Sequence, residues 1–147
     1  MKQDHIIYSN WDIRFLELAY HVAKWSKDPS TKVGAVIVNE QHQVLSLGYN
    51  GFPRGVEDRE SRYADRETKL LFVAHAERNA LDNAFVDVRG ATLYTSLCPC
   101  NECAKSIIQK GIKRVVTHPP PVDKIETFKM YATTQMFNEA NIKLTLV

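Results

Sequence analysis

The 147-residue sequence has no apolar run approaching the roughly 18 residues that a membrane-spanning helix needs. Its three cysteines, an odd number, all lie within positions 98–103, and this clustering argues against a disulfide framework. A formal net charge of +2 is too small for a general nucleic-acid binder. Repeats, low-complexity tracts and linkers are absent as well. We therefore expect a single domain over residues 1–147 that binds neither a membrane nor a nucleic acid.

The polar N-terminal stretch, residues 1–10, lacks the apolar core of a signal peptide. A cytoplasmic location is therefore the expectation. The composition, 44% hydrophobic and 24% charged, is typical of a globular domain. A chain of this length can bury most of its apolar surface without disulfides.

Apolar periodicity predicts alternating helices and strands. Ser9 and Asp12 resemble a capping box at the start of a first helix. Two β-branched runs, 33–38 and 44–48, predict a hairpin, and residues 50–73 are interpreted as a long functional loop, partly helical near its end. The other expected bounds are a first helix to about 26, helices over 75–84, 100–110 and 123–140, and strands over 91–95, 114–117 and 142–147. Five strands with interleaved helices predict an α/β fold: a three-layer α/β/α sandwich around a five-stranded mixed sheet.

Two short segments combine residue types that bind transition metals. Residues 75–77 are His-Ala-Glu, and residues 99–103 are Pro-Cys-Asn-Glu-Cys. Cys100 and Cys103 are three residues apart at a predicted helix start, so their sulfurs share one face and the helix dipole favours thiolates. With His75 they offer three protein ligands. Because zinc prefers four, one position is left for a water molecule of lowered pKa.

Glu77 is the candidate for moving protons. It follows His75 by two residues, about 200° around a helix, so we do not expect it to bind the same metal. It can instead exchange protons with the water and the substrate. A structural zinc site would need a fourth protein ligand, for which Cys98 is available, and the alternative is that Cys98 is a small buried residue. The remaining interpretation is that the segments 75–77 and 99–103 are unrelated to each other.

These segments resemble the cytidine deaminase-like superfamily and, within it, the deoxycytidylate deaminases. His-x-Glu followed by Pro-Cys-x-x-Cys is the signature of zinc-dependent base deaminases. Free-cytidine deaminases generally have cysteine in place of His75, and tRNA adenosine deaminases share His-Ala-Glu but usually lack Gly-Tyr-Asn-Gly-Phe-Pro, here residues 48–53. The resemblance covers about residues 11–116, and its motifs are 26–29 with 33–35, 48–53, 75–80 and 99–105.

The resemblance implies a hydrolytic enzyme that converts dCMP to dUMP with release of ammonia and supplies dUMP for thymidylate synthesis. It implies Zn²⁺ as the cofactor, held by His75, Cys100 and Cys103. Glu77 is the implied catalytic residue, which would protonate ring N3 of the base and then the departing amine.

The resemblance also implies where the substrate lies. Asn50 is expected at the sugar 3′-hydroxyl, and the backbone of Ala76 at the pyrimidine carbonyl. Ser26 and Lys27 are expected near the 5′-phosphate. After the fourth strand, the family often has an aromatic residue where this chain has threonine, histidine and three prolines, so the sequence leaves that wall of the pocket unassigned. His118 is interpreted either as a residue of the pocket rim or as an ordinary one.

Regulation and assembly are further implications of the resemblance. Many members are hexamers that dCTP activates and dTTP inhibits, and the effector is expected at Tyr49, Gly51, Phe52 and Arg54. The arginines of the charged stretch alternate with acidic residues. Most are therefore interpreted as solvated surface, with one or two reaching an effector triphosphate; they are Arg54, Arg59, Arg62 and Arg66.

Two other functions stay open at this point. One is a deaminase of a different base, acting on a tRNA adenosine or a free nucleoside. The other is a catalytically silent zinc protein that serves as an interaction module. Glu77 argues against the second, because a structural zinc site needs no proton shuttle.

Overall fold

The computed structural model describes residues 8–147, so the first seven positions of the expected domain lie outside the described residues. Its strands are β1 (Gly34–Val38), β2 (Val44–Tyr49), β3 (Thr92–Thr95), β4 (Arg114–Thr117) and β5 (Lys143–Leu146). They form one sheet in the order β2-β1-β3-β4-β5. β1 pairs antiparallel with β2 and β3, whereas β3, β4 and β5 run parallel. The predicted five-stranded mixed sheet is confirmed.

The helices cover both faces of this sheet. They are α1 (Asn10–Ala23), α2 (Glu60–Ala64), α3 (Arg66–Phe72), α4 (Ala76–Asn83), α5 (Asn101–Gln109) and α6 (Met130–Glu139), with a 3₁₀ turn at Val122–Lys124. α1 packs on one face, and α4, α5 and α6 pack on the other. The three-layer sandwich is therefore confirmed. Among the described residues, no helix combines the length and the apolar character that crossing a bilayer requires.

The central strand β1 divides the core into two halves. All five of its residues are buried. Ala35 and Ile37 join the core beneath α4 and α5, whereas Val36 and Val38 join the core beneath α1. This alternation follows from the two-residue period of a strand. A continuous apolar run, as in this strand, is what burial on both faces requires.

Two glycines let helices lie directly against the sheet. A Cβ at Gly48 would lie 2.3 Å from the backbone nitrogen of Ala80, and one at Gly34 would lie 2.0 Å from the carbonyl oxygen of Ala19. Any other residue would push α4 or α1 away from the strands. Gly48 therefore helps to fix the position of α4, whose first turn carries part of the site described below.

The predicted capping box begins α1. The backbone N–H of Asp12 donates to Ser9 Oγ, and the N–H of Ser9 donates to Asp12 Oδ2. The buried Asp12 carboxylate also accepts hydrogen bonds from Tyr94 and, through two nitrogens, from Arg114. This network joins α1 to β3 and β4.

Two expectations about the irregular segments need correction. The stretch 50–73 is more helical than predicted, because it contains both α2 and α3. The last helix begins at Met130 and not at position 123. Lys129 has a left-handed backbone, with φ of 54°, and the carbonyl of Phe128 accepts a hydrogen bond from the backbone of Asn101. The chain before α6 therefore turns toward α5 instead of continuing as a helix.

Candidate active site

Three potential metal ligands converge where α4 and α5 begin. His75 and Cys100 are the N-cap residues of these helices and have extended backbone, and Cys103 lies in the first turn of α5. His75 Nδ1 is 3.2 Å from Cys103 Sγ and 3.6 Å from Cys100 Sγ. All the donor atoms lie within 4.8 Å of one another. In residues 8–147 no second group of three histidine, cysteine or acidic side chains meets this criterion.

The spacing of these atoms fits tetrahedral zinc. Bonds of about 2.05 Å to nitrogen and about 2.3 Å to sulfur would place the two atoms about 3.6 Å apart in a tetrahedron. One imidazole and two thiolates are donors that zinc prefers, and three protein ligands leave a fourth position open. The site can therefore hold a zinc ion that is accessible to a small molecule.

The two cysteines are electrostatically unequal. A hydrogen bond from Cys103 is the main reason that the pKa of Cys100 is lowered to about 3, with a further contribution from His75. The same contact, together with burial, raises the pKa of Cys103, and the contact with Cys100 raises the pKa of His75. These contacts therefore favour the thiolate form of Cys100 and the protonated forms of Cys103 and His75. A bound cation would displace those protons.

Glu77 lies in the wall of a cavity next to this cluster, outside the donor set. Only 4% of the residue is exposed, and burial raises the pKa of its carboxyl to about 7. The 200° argument from the sequence does not apply, because His75 precedes the helix that carries Glu77. A buried acid whose pKa is near neutral is suited to both accepting and donating a proton.

The cavity has a volume of about 180 Å³. Its walls come from the loop 28–33, Asn50, α3, the first turn of α4, the segment 97–100 and the segment 124–128. Ala76 lines it at the first position of α4. The first N–H groups of a helix lack intrahelical acceptors, so the N–H of Ala76 is available to a ligand oxygen.

Asn50 also lines the cavity, and it holds the neighbouring loop. Its Oδ1 accepts a hydrogen bond of 2.8 Å from the backbone N–H of Val33, and its Nδ2 donates one of 2.9 Å to the carbonyl of Thr31. Most of its amide is therefore engaged inside the protein. A contact with a sugar hydroxyl at this residue stays a prediction.

The two residues expected near a phosphate lie outside the cavity wall. Ser26 is buried, and its hydroxyl donates to the backbone carbonyl of Asn50. Lys27 is exposed, and its ammonium forms a 2.9 Å ion pair with Asp58. Neither belongs to the lining of the cavity.

The four residues expected to bind an effector also lie outside this lining. Gly51 exchanges two backbone hydrogen bonds with Ala74, directly before His75. The other three contact the surrounding surface: Tyr49 packs edge-on against Trp25, Phe52 stacks on Tyr63, and Arg54 donates to Asn83.

Several cavity-lining residues were not assigned to a substrate site from the sequence, among them Arg66, Lys69, Lys124 and Phe128. Phe128 and Lys124 supply the wall that the sequence left open, from a segment expected to be helical. Arg66 and Lys69 are three residues apart on α3 and so share a face, a signal that the helical periodicity of 50–73 could have revealed.

Cys98 and His118 have other environments. Cys98 is 2% exposed, lies outside the donor set and has its pKa raised to about 12 by burial. His118 does not line the cavity; its Nδ1 is 2.8 Å from the carbonyl oxygen of Val147, and its ring packs on Tyr20. The small-buried-residue interpretation of Cys98 agrees with this placement.

Comparison with known proteins identifies the family. Residues 9–119 match the family described as the cytidine and deoxycytidylate deaminase zinc-binding region. The chain belongs to this family. Together with the histidine and cysteine donor set, membership identifies Zn²⁺ as the cofactor.

Individual relatives agree with this membership. A deoxycytidylate deaminase of Mus musculus is 45% identical over 115 residues, 74% of this chain and 65% of that protein. The chain thus spans slightly less than two thirds of that relative's length. A deaminase from the luxG 3′ region of Aliivibrio fischeri is 39% identical over 139 residues, 93% of each protein. The structure of dCMP deaminase from cyanophage S-TIM5 in complex with dCMP and dUMP shares the fold, with a TM-score of 0.75 and 21% identity over 97% of this chain and 100% of that one.

Proposed function

We propose that the protein is a dCMP deaminase, which hydrolyses dCMP to dUMP and ammonia. The observation that carries the proposal is the buried carboxyl of Glu77 in the cavity beside His75, Cys100 and Cys103. A structural zinc site has no use for such a group. The names of the relatives supply dCMP as the substrate, and thymidylate synthesis is the expected use of the dUMP.

In this proposal His75, Cys100 and Cys103 hold the zinc, which when bound supplies Lewis acidity that lowers the pKa of a water molecule toward neutrality. Glu77 accepts a proton from the attacking water and donates one to ring N3 as the new C–O bond forms at C4. Glu77 then takes the proton of the new C4 hydroxyl and passes it to the exocyclic nitrogen. The C–N bond breaks as the C4 carbonyl forms, and ammonia leaves. The N–H of Ala76 donates to the pyrimidine carbonyl oxygen, and Asn50 faces the sugar.

A parallel assay of three substrates tests the assignment. The purified, zinc-loaded protein should deaminate dCMP with a catalytic efficiency far above that for deoxycytidine or an RNA stem-loop containing adenosine. Preference for deoxycytidine would indicate a nucleoside enzyme, and preference for the RNA a tRNA adenosine deaminase. Zinc binding without turnover of any of the three would indicate an interaction module.

Regulation by dCTP as activator and dTTP as inhibitor belongs to the same proposal. The paired backbones of Gly51 and Ala74 support it, because they link the expected effector loop to the residue before His75. An effector can act only through different affinities for two states of that link. We expect sigmoidal dCMP saturation that dCTP makes hyperbolic. Hyperbolic kinetics unchanged by either nucleotide would end this part of the proposal.

The assembly and location of the protein complete the proposal: a cytoplasmic homo-oligomer, expected to be a hexamer. Several large apolar side chains are exposed in the single chain, and a partner subunit would cover them; they include Leu71, Phe85, Val122 and Tyr131. Sedimentation analysis of the purified protein gives the number of subunits, and a monomer would contradict the proposal.

A further inference from the structure

Three cationic side chains line the cavity without a part in the proton transfers described above. Arg66 and Lys69 come from α3, and Lys124 comes from the 3₁₀ turn before α6. Arg66 is exposed and Lys124 is half-buried. Within residues 8–147, neither side chain has a hydrogen-bond or ion-pair partner. A cation beside a cavity and without a partner is a candidate for binding an anionic ligand.

Lys69 adds a buried donor to the same wall. Its side chain is 10% exposed, and its ammonium lies 3.2 Å from Asp28 Oδ1. An ammonium has three N–H donors, and this contact uses one of them. The charge of Asp28 is matched by Lys69, while the remaining donors of Lys69 can still serve a ligand.

The side of the cavity that carries these cations therefore has an excess of positive charge. Asp28 and Glu77 are the acidic side chains of the lining, and Lys69 neutralises the first. Arg66 and Lys124 remain as two cations on elements other than those that hold the metal donors. A phosphate monoester carries a charge of about −1.5 to −2 near neutral pH, which matches two such cations. An arginine can also bind it through two parallel hydrogen bonds.

We propose that Arg66 and Lys124, supported by Lys69, bind the 5′-phosphate of a nucleoside monophosphate. The identity of the nucleoside rests on the proposed function, whereas recognition of the phosphate rests on these three cations. The proposal replaces the expectation at Ser26 and Lys27. Lys27 already forms an ion pair with Asp58 and lies outside the cavity lining.

Calorimetric titration of the zinc-loaded protein with dUMP, deoxyuridine and inorganic phosphate separates the contribution of the phosphate to binding from that of the nucleoside. Arg66→Gln and Lys124→Gln should each weaken dUMP binding about ten-fold or more, the usual effect of losing a charge-assisted hydrogen bond, and leave the affinity for deoxyuridine unchanged. Lys27→Gln tests the rival site. Lys143→Gln, an exposed lysine of β5 that does not line the cavity, is the control for loss of one positive charge.

Each outcome decides a separate question. Equal dUMP affinities for the wild type and the Arg66→Gln/Lys124→Gln double variant would overturn the proposal, and so would equal losses for dUMP and deoxyuridine. Tight binding of inorganic phosphate alone, lost in the double variant, supports the subsite and indicates that it needs no nucleoside. A wild-type protein that binds dUMP through these residues but deaminates nothing would refute the proposed function and leave the phosphate subsite standing.

Discussion

The two sides of the cavity are built in different ways. On the metal side, His75, Cys100 and Cys103 lie in two short segments, each at the start of a helix packed on the sheet. On the cationic side, Arg66 and Lys124 are 58 positions apart by number and lie on a two-turn helix and a 3₁₀ turn. The proposed chemistry thus relies on compact motifs on the core scaffold. The proposed phosphate recognition relies on two peripheral segments that fold over it.

The comparison predicts that changes on the metal side have the larger effects. Cys100→Ala or Cys103→Ala should lose both the zinc and the activity, because two ligands bind zinc poorly. Metal content by atomic absorption and dCMP turnover, measured on the same preparation, check this. Cys98→Ala is the matched control and should keep about one zinc per chain, since Cys98 lies outside the donor set. Full zinc occupancy in Cys103→Ala would refute the proposed ligand set.

Glu77→Gln should have the second-largest effect on activity. We expect turnover to fall at least about 10²-fold, the lower range for general acid–base catalysis, with zinc content and fold retained. Glu102→Gln is the control, because Glu102 is an exposed acid of α5 whose side chain pairs with Lys105. Loss of zinc from Glu77→Gln would make Glu77 a ligand and not a proton shuttle.

The smallest kinetic effect is expected at Asp12, which does not line the cavity and belongs to α1, the helix on the sheet face opposite to α4 and α5. Burial alone would raise the pKa of Asp12, but hydrogen bonds from Arg114, Tyr94 and the backbone of Ser9 outweigh it and lower the pKa. Asp12→Asn removes the buried carboxylate that accepts two hydrogen bonds from Arg114, and it should cost about 3 kcal/mol of unfolding free energy at pH 7. Catalytic efficiency for dCMP should stay at the wild-type value.

The stabilisation that Asp12 provides should depend on pH in a definite direction. Because the folded-state pKa of Asp12 lies below its ordinary value of 3.8, its contribution to stability is present above about pH 4 and is lost as the pH falls through the folded pKa. Urea unfolding of the wild type and Asp12→Asn should therefore converge in acid. Asp87→Asn, which breaks an exposed pair with Arg89, should change little at any pH. A constant difference down to pH 2 would contradict the assignment.

The same contrast explains what the sequence could predict. The sheet, α1 with its capping box and the convergence of His75, Cys100 and Cys103 follow from local signals: period-two and helical patterns, a cap and two ligand segments. The 200° separation from His75 is the wrong reason for placing Glu77 outside the metal ligands. His75 is a cap residue with extended backbone, so it does not follow helical periodicity.

The cationic side could not be assigned because it depends on tertiary placement. Arg66 belongs to a stretch of alternating charges that resembles solvated surface, and only the packing of α3 brings it to the cavity. Lys124 lies in a segment with helical composition, and the left-handed Lys129 turns that segment toward α5. Lys27 illustrates the converse: its place in a family motif predicts a phosphate contact, whereas the structure places its ammonium against Asp58 and outside the cavity lining, so that contact stays a prediction.

The most direct test of a zinc-dependent dCMP deaminase is metal reconstitution. The protein is stripped with a chelator, zinc is added back in steps, and dUMP formation from dCMP is measured at each step together with bound metal. We predict that activity is absent from the stripped protein and rises in proportion to zinc, up to about one ion per chain. Full activity in the stripped protein, or no dUMP with one zinc bound per chain, would contradict the account.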